Sequence, residues 1–165
     1  MVDFNTLFEN ELKDMYSSEQ QIVKALPKMI NAASSKKLKA ALDTHLNETQ
    51  EQVQRLDEIA KELNLDFSDA DCPAMRGILE EGEEALDEYN GEVLDAAIIG
   101  AAQRVEHYEI AVYGTLITYA KILDLPNVEK LLKKSIAEEK EADSTLSKIA
   151  EGTFFSHGVN KRAAG

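Results

Sequence analysis

Apolar residues recur at alternating spacings of three and four along most of this chain, and this periodicity constrains the fold more than any other feature. In the first segment, from about Asn5 to Ala33, the stripe consists of Phe8, Leu12, Met15, Glu19, Ile22, Leu26 and Met29. Such spacing places all of these side chains on one face of an α-helix. Only three prolines and eight glycines interrupt the 165 residues. The pattern therefore favours long helices and nearly excludes an all-β fold.

The same periodicity predicts three further long helices. They extend from about Lys36 to Leu63, from about Glu92 to Leu123, and from near Pro126 to about Glu151. Ser34 and Ser35 offer hydroxyl groups that can cap the second helix. Its predicted inward residues are Leu38, Leu42, Leu46, Val53, Leu56 and Ile59.

Residues 64–91 separate the second and third long helices, and a short helix is predicted within them after Pro73. Two helical hairpins joined by such a connection make an all-α four-helix bundle with one long crossover. A simple up-down-up-down bundle is the alternative. We predict one bundle domain over residues 1–151. The tail, residues 152–165, has little to pack beyond Phe154 and Phe155.

The charge balance limits the partners of the protein. It has 31 acidic and 18 basic side chains, which gives a formal net charge of −13. Such a field repels phosphate backbones and anionic lipids, so we expect neither nucleic acid nor a membrane as a partner. The single cysteine, Cys72, and the absence of a signal-like or membrane-spanning apolar stretch lead us to expect a soluble cytoplasmic protein.

Several acidic side chains lie on the inward stripes rather than on solvent-facing surfaces. An uncompensated buried carboxylate costs several kcal/mol, whereas a domain has only about 5 to 15 kcal/mol of net stability. Protons, basic side chains or divalent cations must therefore compensate them, and basic residues are scarce on these stripes. Oxygen-rich ligation with an imidazole suits iron or manganese. The inward candidates are Glu19, His45, Glu48, Glu106, Glu109, Glu139 and Asp143.

Segments from all four long helices resemble one family of bacterial proteins. These segments are DMYSSEQQIVKALPKM, LDTHLNET, AAQRVEHYEIAVYGTL and LLKKSIAEEKEAD. They are similar to the YciE/YciF-like family of stress-associated proteins in the ferritin-like superfamily. The resemblance implies a ferritin-like bundle that holds a carboxylate-rich centre of two divalent metal ions, iron or manganese, often within a homodimer.

The resemblance also implies a ligand set. The positions that match are Glu19 on the first helix, Glu48 on the second, Glu106 and Glu109 on the third and Glu139 on the fourth. The chain departs from the superfamily's Glu-x-x-His pattern, because its second helix reads His45-x-x-Glu48 and its fourth Glu139-x-x-x-Asp143. Instead of binding metal, Glu19 and Glu139 could be buried carboxylates held by hydrogen bonds. Glu48 could be an ordinary solvated glutamate. A role in orienting the ligands is the alternative for His45 and Asp143.

Two functional classes follow. In the first, the di-metal centre handles oxygen or peroxide during stress, and any enzyme activity would be that of an oxidase or peroxidase. In the second, the bundle is a structural or interaction protein with a passive acidic core. A ferritin-style iron store is less favoured, because nothing in the sequence specifies assembly into a cage. The small apolar residues of LDAAIIGAAQ predict that the third long helix packs against either a second subunit or the crossover helix.

Overall fold

The computed structural model describes residues 3–153 and 156–165. The helices are α1 (Phe4–Ala32), α2 (Lys36–Leu63), α3 (Pro73–Glu88), α4 (Gly91–Ile122), α5 (Pro126–Glu151) and α6 (Val159–Ala163). Two short antiparallel strands, β1 (Gly152–Thr153) and β2 (Ser156–His157), precede α6. The bounds predicted for the four long helices agree closely with these.

Local sequence signals explain where the long helices begin and end. The Asp3 carboxylate accepts a backbone hydrogen bond in the first turn of α1, and the Ser35 hydroxyl does the same for α2. Pro126 is the first residue of α5, where its missing N–H costs nothing. Asn64 ends α2 in the left-handed conformation, with φ of 55°, which asparagine tolerates better than most residues.

The four long helices form a closed ring. α1 packs against α2 and α4, and α5 packs against the same two helices, so that the order around the ring is α1, α2, α5, α4. The crossover helix α3 lies outside the ring against α4 and α1. This is the predicted ferritin-like four-helix bundle with one long crossover that carries a short extra helix. No helix in the described ranges is long and apolar enough to cross a membrane.

The bundle interior contains two hydrophobic clusters. The first cluster lies towards the α1–α2 turn and includes Ile22, Leu26, Leu42, Ile98 and Leu146. The second cluster lies at the other end and includes Phe8, Leu12, Leu56, Leu116 and Leu132. Between them, every long helix contributes buried polar residues. We call this layer the polar belt, and it consists of Glu19, His45, Thr49, Gln52, Glu106, Glu109, Ser135 and Glu139.

An aspartate in the apolar first part of α4 holds the α1–α2 turn. Asp95 is 1% exposed. It accepts hydrogen bonds from the Ser34 backbone N–H at 2.7 Å, the Ser34 hydroxyl at 2.6 Å and the Ser35 backbone N–H at 2.9 Å. The turn is therefore attached to α4 by a charged acceptor that satisfies three donors. The sequence analysis did not identify this residue.

The apolar first part of α4 also receives the crossover helix. α3 packs on α4, which is one of the two predicted outcomes for this face. The other, a homodimer, stays a prediction. Val93, near the start of α4, is 46% exposed, and Tyr89, which follows α3, is 40% exposed. Both large side chains therefore remain at the surface after α3 has packed.

A buried polar contact fixes the start of α3. The Tyr108 hydroxyl donates a hydrogen bond of 2.7 Å to the Asp14 carboxylate, and the Cys72 thiol lies 3.2 Å from both groups. Burial raises the pKa of the Tyr108 phenol and of the Cys72 thiol, so both stay protonated. Cys72 also caps α3 by accepting from the Met75 N–H. Its role in the fold is to anchor the crossover.

The C-terminal tail packs more closely than the sequence analysis predicted. α6 contacts α4 and α5, and Val159 is buried in the first cluster with 1% exposure. Arg162 forms an ion pair of 2.7 Å with Glu92. The prediction that the tail has little to pack is therefore wrong for α6. Phe154 and Phe155, which were predicted to anchor it, lie outside the described residues.

Candidate metal centre

Five potential ligands from four helices lie in the polar belt. Glu19 (α1), Glu109 (α4) and Glu139 (α5) are 0% exposed, Glu106 (α4) is 1% exposed and His45 (α2) is 5% exposed. His45, Glu106, Glu109 and Glu139 each offer one ligand atom, and these four atoms lie within 4.8 Å of one another. The structure therefore brings together four of the seven side chains that were predicted to face inward.

Glu19 lies beside this group of four and is held by a tyrosine. The hydroxyl of Tyr113, which is one turn beyond Glu109 on α4, donates a short hydrogen bond to Glu19 Oε1. Burial raises the pKa of the Tyr113 phenol, and the charges of Glu19, Glu109 and Glu139 raise it further. Glu19 thus belongs to the same electrostatic cluster. Its Oε1 is held by Tyr113, and its Oε2 has no hydrogen-bond partner among the described residues.

Many polar atoms of the cluster are buried without a hydrogen-bond partner among the described residues. They are Oε2 of Glu19, Glu106 and Glu139, both carboxylate oxygens of Glu109 and both ring nitrogens of His45. Each unpaired buried polar group costs roughly 1 to 3 kcal/mol, and more if it is charged. So many of them in one layer indicate a place for a ligand that accepts electron pairs, because packing alone does not compensate them.

No lysine or arginine within the described ranges forms an ion pair with the four glutamates of the cluster. Arg55 is the buried cation of α2, but its guanidinium pairs with Glu138 at 2.6 and 2.8 Å and with Glu51 at 3.0 Å. The nearest basic group is His45, whose Nε2 lies 3.4 Å from Glu106 Oε1. A basic side chain therefore does not neutralise the cluster.

Without a cation, the cluster retains protons. Burial, reinforced by the charge of Glu139, raises the pKa of Glu19, Glu106 and Glu109 well above the ordinary carboxylate value. Burial lowers the pKa of His45, although the charges of Glu139 and Glu138 oppose this effect. The neutral imidazole and the protonated carboxyls are the forms that a binding metal ion would meet.

The inward face of α2 differs from the predicted one. Leu46 and Val53 are only partly buried, whereas Gln52 and Arg55 are buried. The Gln52 amide donates a short hydrogen bond to Glu139 Oε1. His45 is on this face as predicted, and Thr49 and Gln52 continue its spacing by four and three. That spacing is the signal from which the inward position of Gln52 could have been predicted.

Besides Glu19, two of the predicted site residues lie outside the group of four. Glu48 is half-buried and lines a cleft of about 280 Å³ between α2 and α5, which reaches His45 and Glu106. Asp143 is 24% exposed and accepts from the Gln103 amide at 3.3 Å. Its charge contributes to the raised pKa of Glu106. Both residues are therefore placed beside the cluster, Glu48 at its opening and Asp143 next to Glu106.

The donor set fits divalent iron or manganese. Four carboxylates and one neutral imidazole supply hard oxygen ligands and a single nitrogen, whereas zinc and copper sites usually contain more nitrogen or sulfur. Two divalent ions carry four positive charges, which would match the four charges of Glu19, Glu106, Glu109 and Glu139. Glu106, Glu109, Glu139 and His45 could hold one ion, and a second ion would need Glu19 as a further ligand.

The raised pKa values predict how pH affects the metal-free protein. We expect its thermal stability to fall as pH rises from about 6.5 to 8.5, because the folded state keeps carboxyl protons that the unfolded chain has already lost. Each retained proton contributes about 1.4 kcal/mol per pH unit. His45 opposes this trend only at the acid end of the window, because burial lowers its pKa below the ordinary value and the unfolded chain there still holds part of a proton that the folded state lacks. Calorimetry in a chelator would measure the slope, and saturating manganese should reverse it. A flat profile without metal would contradict the expectation.

The fold and the cluster together define a ferritin-like helical bundle with a buried carboxylate and histidine site. Residues 3–164 match the family described as "Domain of unknown function (DUF892)". The chain belongs to this family, which is the YciF-like family.

Relatives of known structure support this assignment. Protein YciF of Escherichia coli (strain K12) is 42% identical over 165 residues, which cover 99% of this chain and 96% of the relative. The crystal structure of that stress protein superimposes with a TM-score of 0.85 over 90% of this chain and 94% of its own. YcfI from Rhodopseudomonas palustris, described as a candidate structural protein, is 44% identical with a TM-score of 0.86 over 90% and 95% of the two chains.

Proposed function

We propose that this member of the YciF-like stress proteins binds two divalent metal ions, iron or manganese, in its polar belt. The observation that carries the proposal is the set of buried carboxylate oxygens and imidazole nitrogens that have no partner in the described chain. Five such oxygens and two nitrogens converge from four helices, and no lysine or arginine of the described ranges forms an ion pair with these glutamates, although the charge of Arg55 acts weakly on Glu19. Divalent cations compensate this arrangement most directly.

Each helix would supply a defined part of the site. Glu106 and Glu109 are one turn apart on α4 and can hold an ion from two sides. Gln52 fixes one oxygen of Glu139 and leaves the other free, and Tyr113 does the same for Glu19. Bound iron or manganese would supply a redox centre for oxygen or peroxide during stress. The two hydrophobic clusters would exclude bulk water from the belt.

The cleft between α2 and α5 is where a cation would enter. It is lined by Glu48 and Glu141 and ends at His45 and Glu106. Burial, followed by the charges of Glu138 and Glu139, raises the pKa of Glu48. A half-buried carboxylate at this position can exchange water for an incoming ion before the ion reaches the cluster.

Metal titration of chelator-treated protein tests the proposal. We expect about two manganese or ferrous ions per chain, and at about 1,000 times the dissociation constant a stabilisation of about 4 kcal/mol for one site. For a domain of this size such a gain raises the melting temperature by roughly 10 °C. Elemental analysis and calorimetry measure the two quantities. Protein that stays metal-free under iron and manganese loading would overturn the proposal.

A structural or interaction role is the second candidate function. It is favoured by the description of YcfI, a relative with the same fold. In that case the carboxyls would keep their protons. Adding iron or manganese would change neither the thermal stability nor the metal content of the protein. Both candidate functions are compatible with the expected homodimer, and sedimentation equilibrium of the whole chain tests the oligomeric state separately.

A further inference from the structure

A small apolar cavity touches the candidate metal centre next to the α2–α5 cleft. Its volume is about 40 Å³, and its wall is formed by α1, α2, α3 and α4. Hydrocarbon side chains such as Ile22, Leu26, Leu42 and Ile98 form nearly all of this wall. Only His45 and Glu106, both members of the cluster, contribute ionisable groups to it.

The size of the cavity limits what it can hold. A water-sized sphere occupies roughly 10 to 15 Å³ in this measure, so the space admits a molecule of two or three heavy atoms. An engineered cavity that binds benzene is much larger, at about 150 Å³. An aromatic or fatty substrate is therefore too large for the space as it stands.

The polarity of the wall restricts the occupant further. Apolar cavities of this kind stay dry, because a water molecule needs two to four polar partners, and hydrogen peroxide must likewise give up its hydrogen bonds with water on entering. Dioxygen has no such bonds to lose and is favoured by an apolar environment.

The crossover helix closes the outer wall of this cavity. Ile78 and Leu79 of α3 line it, together with Gly82. A Cβ atom at Gly82 would lie 3.3 Å from Ala101 Cβ and 3.4 Å from Met29 Cε, so the glycine lets α3 approach the bundle closely. Without α3, the apolar side of the cluster would be open to water.

We infer that this cavity is a binding site for dioxygen beside the metal centre, next to the polar cleft through which cations enter and with which it shares Leu42, His45 and Glu106. The inference rests on the proposed function for its biological role, since dioxygen held against His45 and Glu106 would meet the bound metal. It names dioxygen, rather than peroxide, as the oxidant to which this side of the site is adapted.

Paramagnetic relaxation by dioxygen tests the inference directly in the metal-free protein. We expect dissolved dioxygen to raise the relaxation rates of the Ile22 and Ile98 methyl protons at least about twofold more than those of Leu12 and Leu116, because only the first pair lines the cavity. All four residues are at most 2% exposed, so accessibility from the surface does not explain a difference. Equal enhancement in both pairs would overturn the inference.

A matched pair of variants strengthens the test. Ala25 lines the cavity, and Ala25→Val should remove most of the enhancement at Ile22 and Ile98. Ala150 is similarly buried in the first cluster but does not line the cavity, so Ala150→Val should leave the enhancement in place. If Ala25→Val does not fold, the comparison of methyl groups in the unaltered protein still decides. Failed metal binding would overturn the proposed function alone, because the relaxation measurement contains no metal.

Discussion

Glu139→Gln is expected to abolish metal binding and at the same time stabilise the metal-free protein. Glu139 is fully buried in the cluster and has one oxygen without a partner. Its conversion to an amide removes a ligand charge, and we expect affinity for manganese to fall by at least about 100-fold, since outlying residues alone are worth roughly 10- to 100-fold. Removal of a buried acidic group whose charge helps to raise the pKa of Glu19, Glu106 and Glu109 should raise the free energy of unfolding at neutral pH by about 1 kcal/mol or more.

The neighbouring residue provides a matched control. Glu138 precedes Glu139 on α5, but its carboxylate receives two hydrogen bonds from the buried Arg55 guanidinium. Glu138→Gln should leave metal affinity within about threefold of the unaltered protein and lower the free energy of unfolding by about 2 kcal/mol, because the Arg55 charge loses its main partner. Isothermal titration with manganese and urea unfolding measure both quantities. Similar losses of metal binding in the two variants would refute the assignment of the cluster.

Asp95→Ala is expected to be among the most destabilising single substitutions in the chain. It removes a buried carboxylate that accepts from the Ser34 N–H, the Ser34 hydroxyl and the Ser35 N–H, of which Ser34 is exposed and Ser35 half-buried. We expect a loss of about 3 to 5 kcal/mol in the free energy of unfolding, measured by urea denaturation.

An exposed aspartate serves as the comparison for Asp95. Asp3 also accepts a hydrogen bond at a helix start, from the Thr6 N–H at 2.9 Å, but water can replace it there. Asp3→Ala should cost only about 1 kcal/mol. A loss below about 1 kcal/mol for Asp95→Ala would show that the α1–α2 turn does not depend on α4.

The sequence alone was sufficient to predict the helices and the inward position of most of the cluster. Glu106 and Glu109 lie on α4 at the same spacing as the apolar residues around them, and Glu19 interrupts a stripe of large hydrophobic residues. Helical periodicity is a local property, so these positions can be inferred from neighbours along the chain. The long crossover likewise follows from the length of residues 64–91.

The parts that escaped prediction depend on contacts between distant segments. Gln52 and Arg55 on α2 are buried because Glu139 and Glu138 on α5 face them, which the sequence of α2 alone does not reveal. Asp95 interrupts an apolar segment of α4, and its role is understood only from its contacts with the Ser34 and Ser35 donors. Val159 is buried because the short hairpin returns the chain to α4 and α5. Each case requires knowledge of which elements are neighbours.

The position of the polar belt has an evolutionary consequence. Each long helix crosses the belt and is anchored in hydrophobic packing both above and below it, so the scaffold does not depend on the identity of the ligands between its anchors. Descendants of one ancestor can therefore exchange a glutamate for a glutamine, alter the chemistry or lose it, and keep the same architecture. Retention of the fold among distant relatives is consequently a poor guide to retention of the activity.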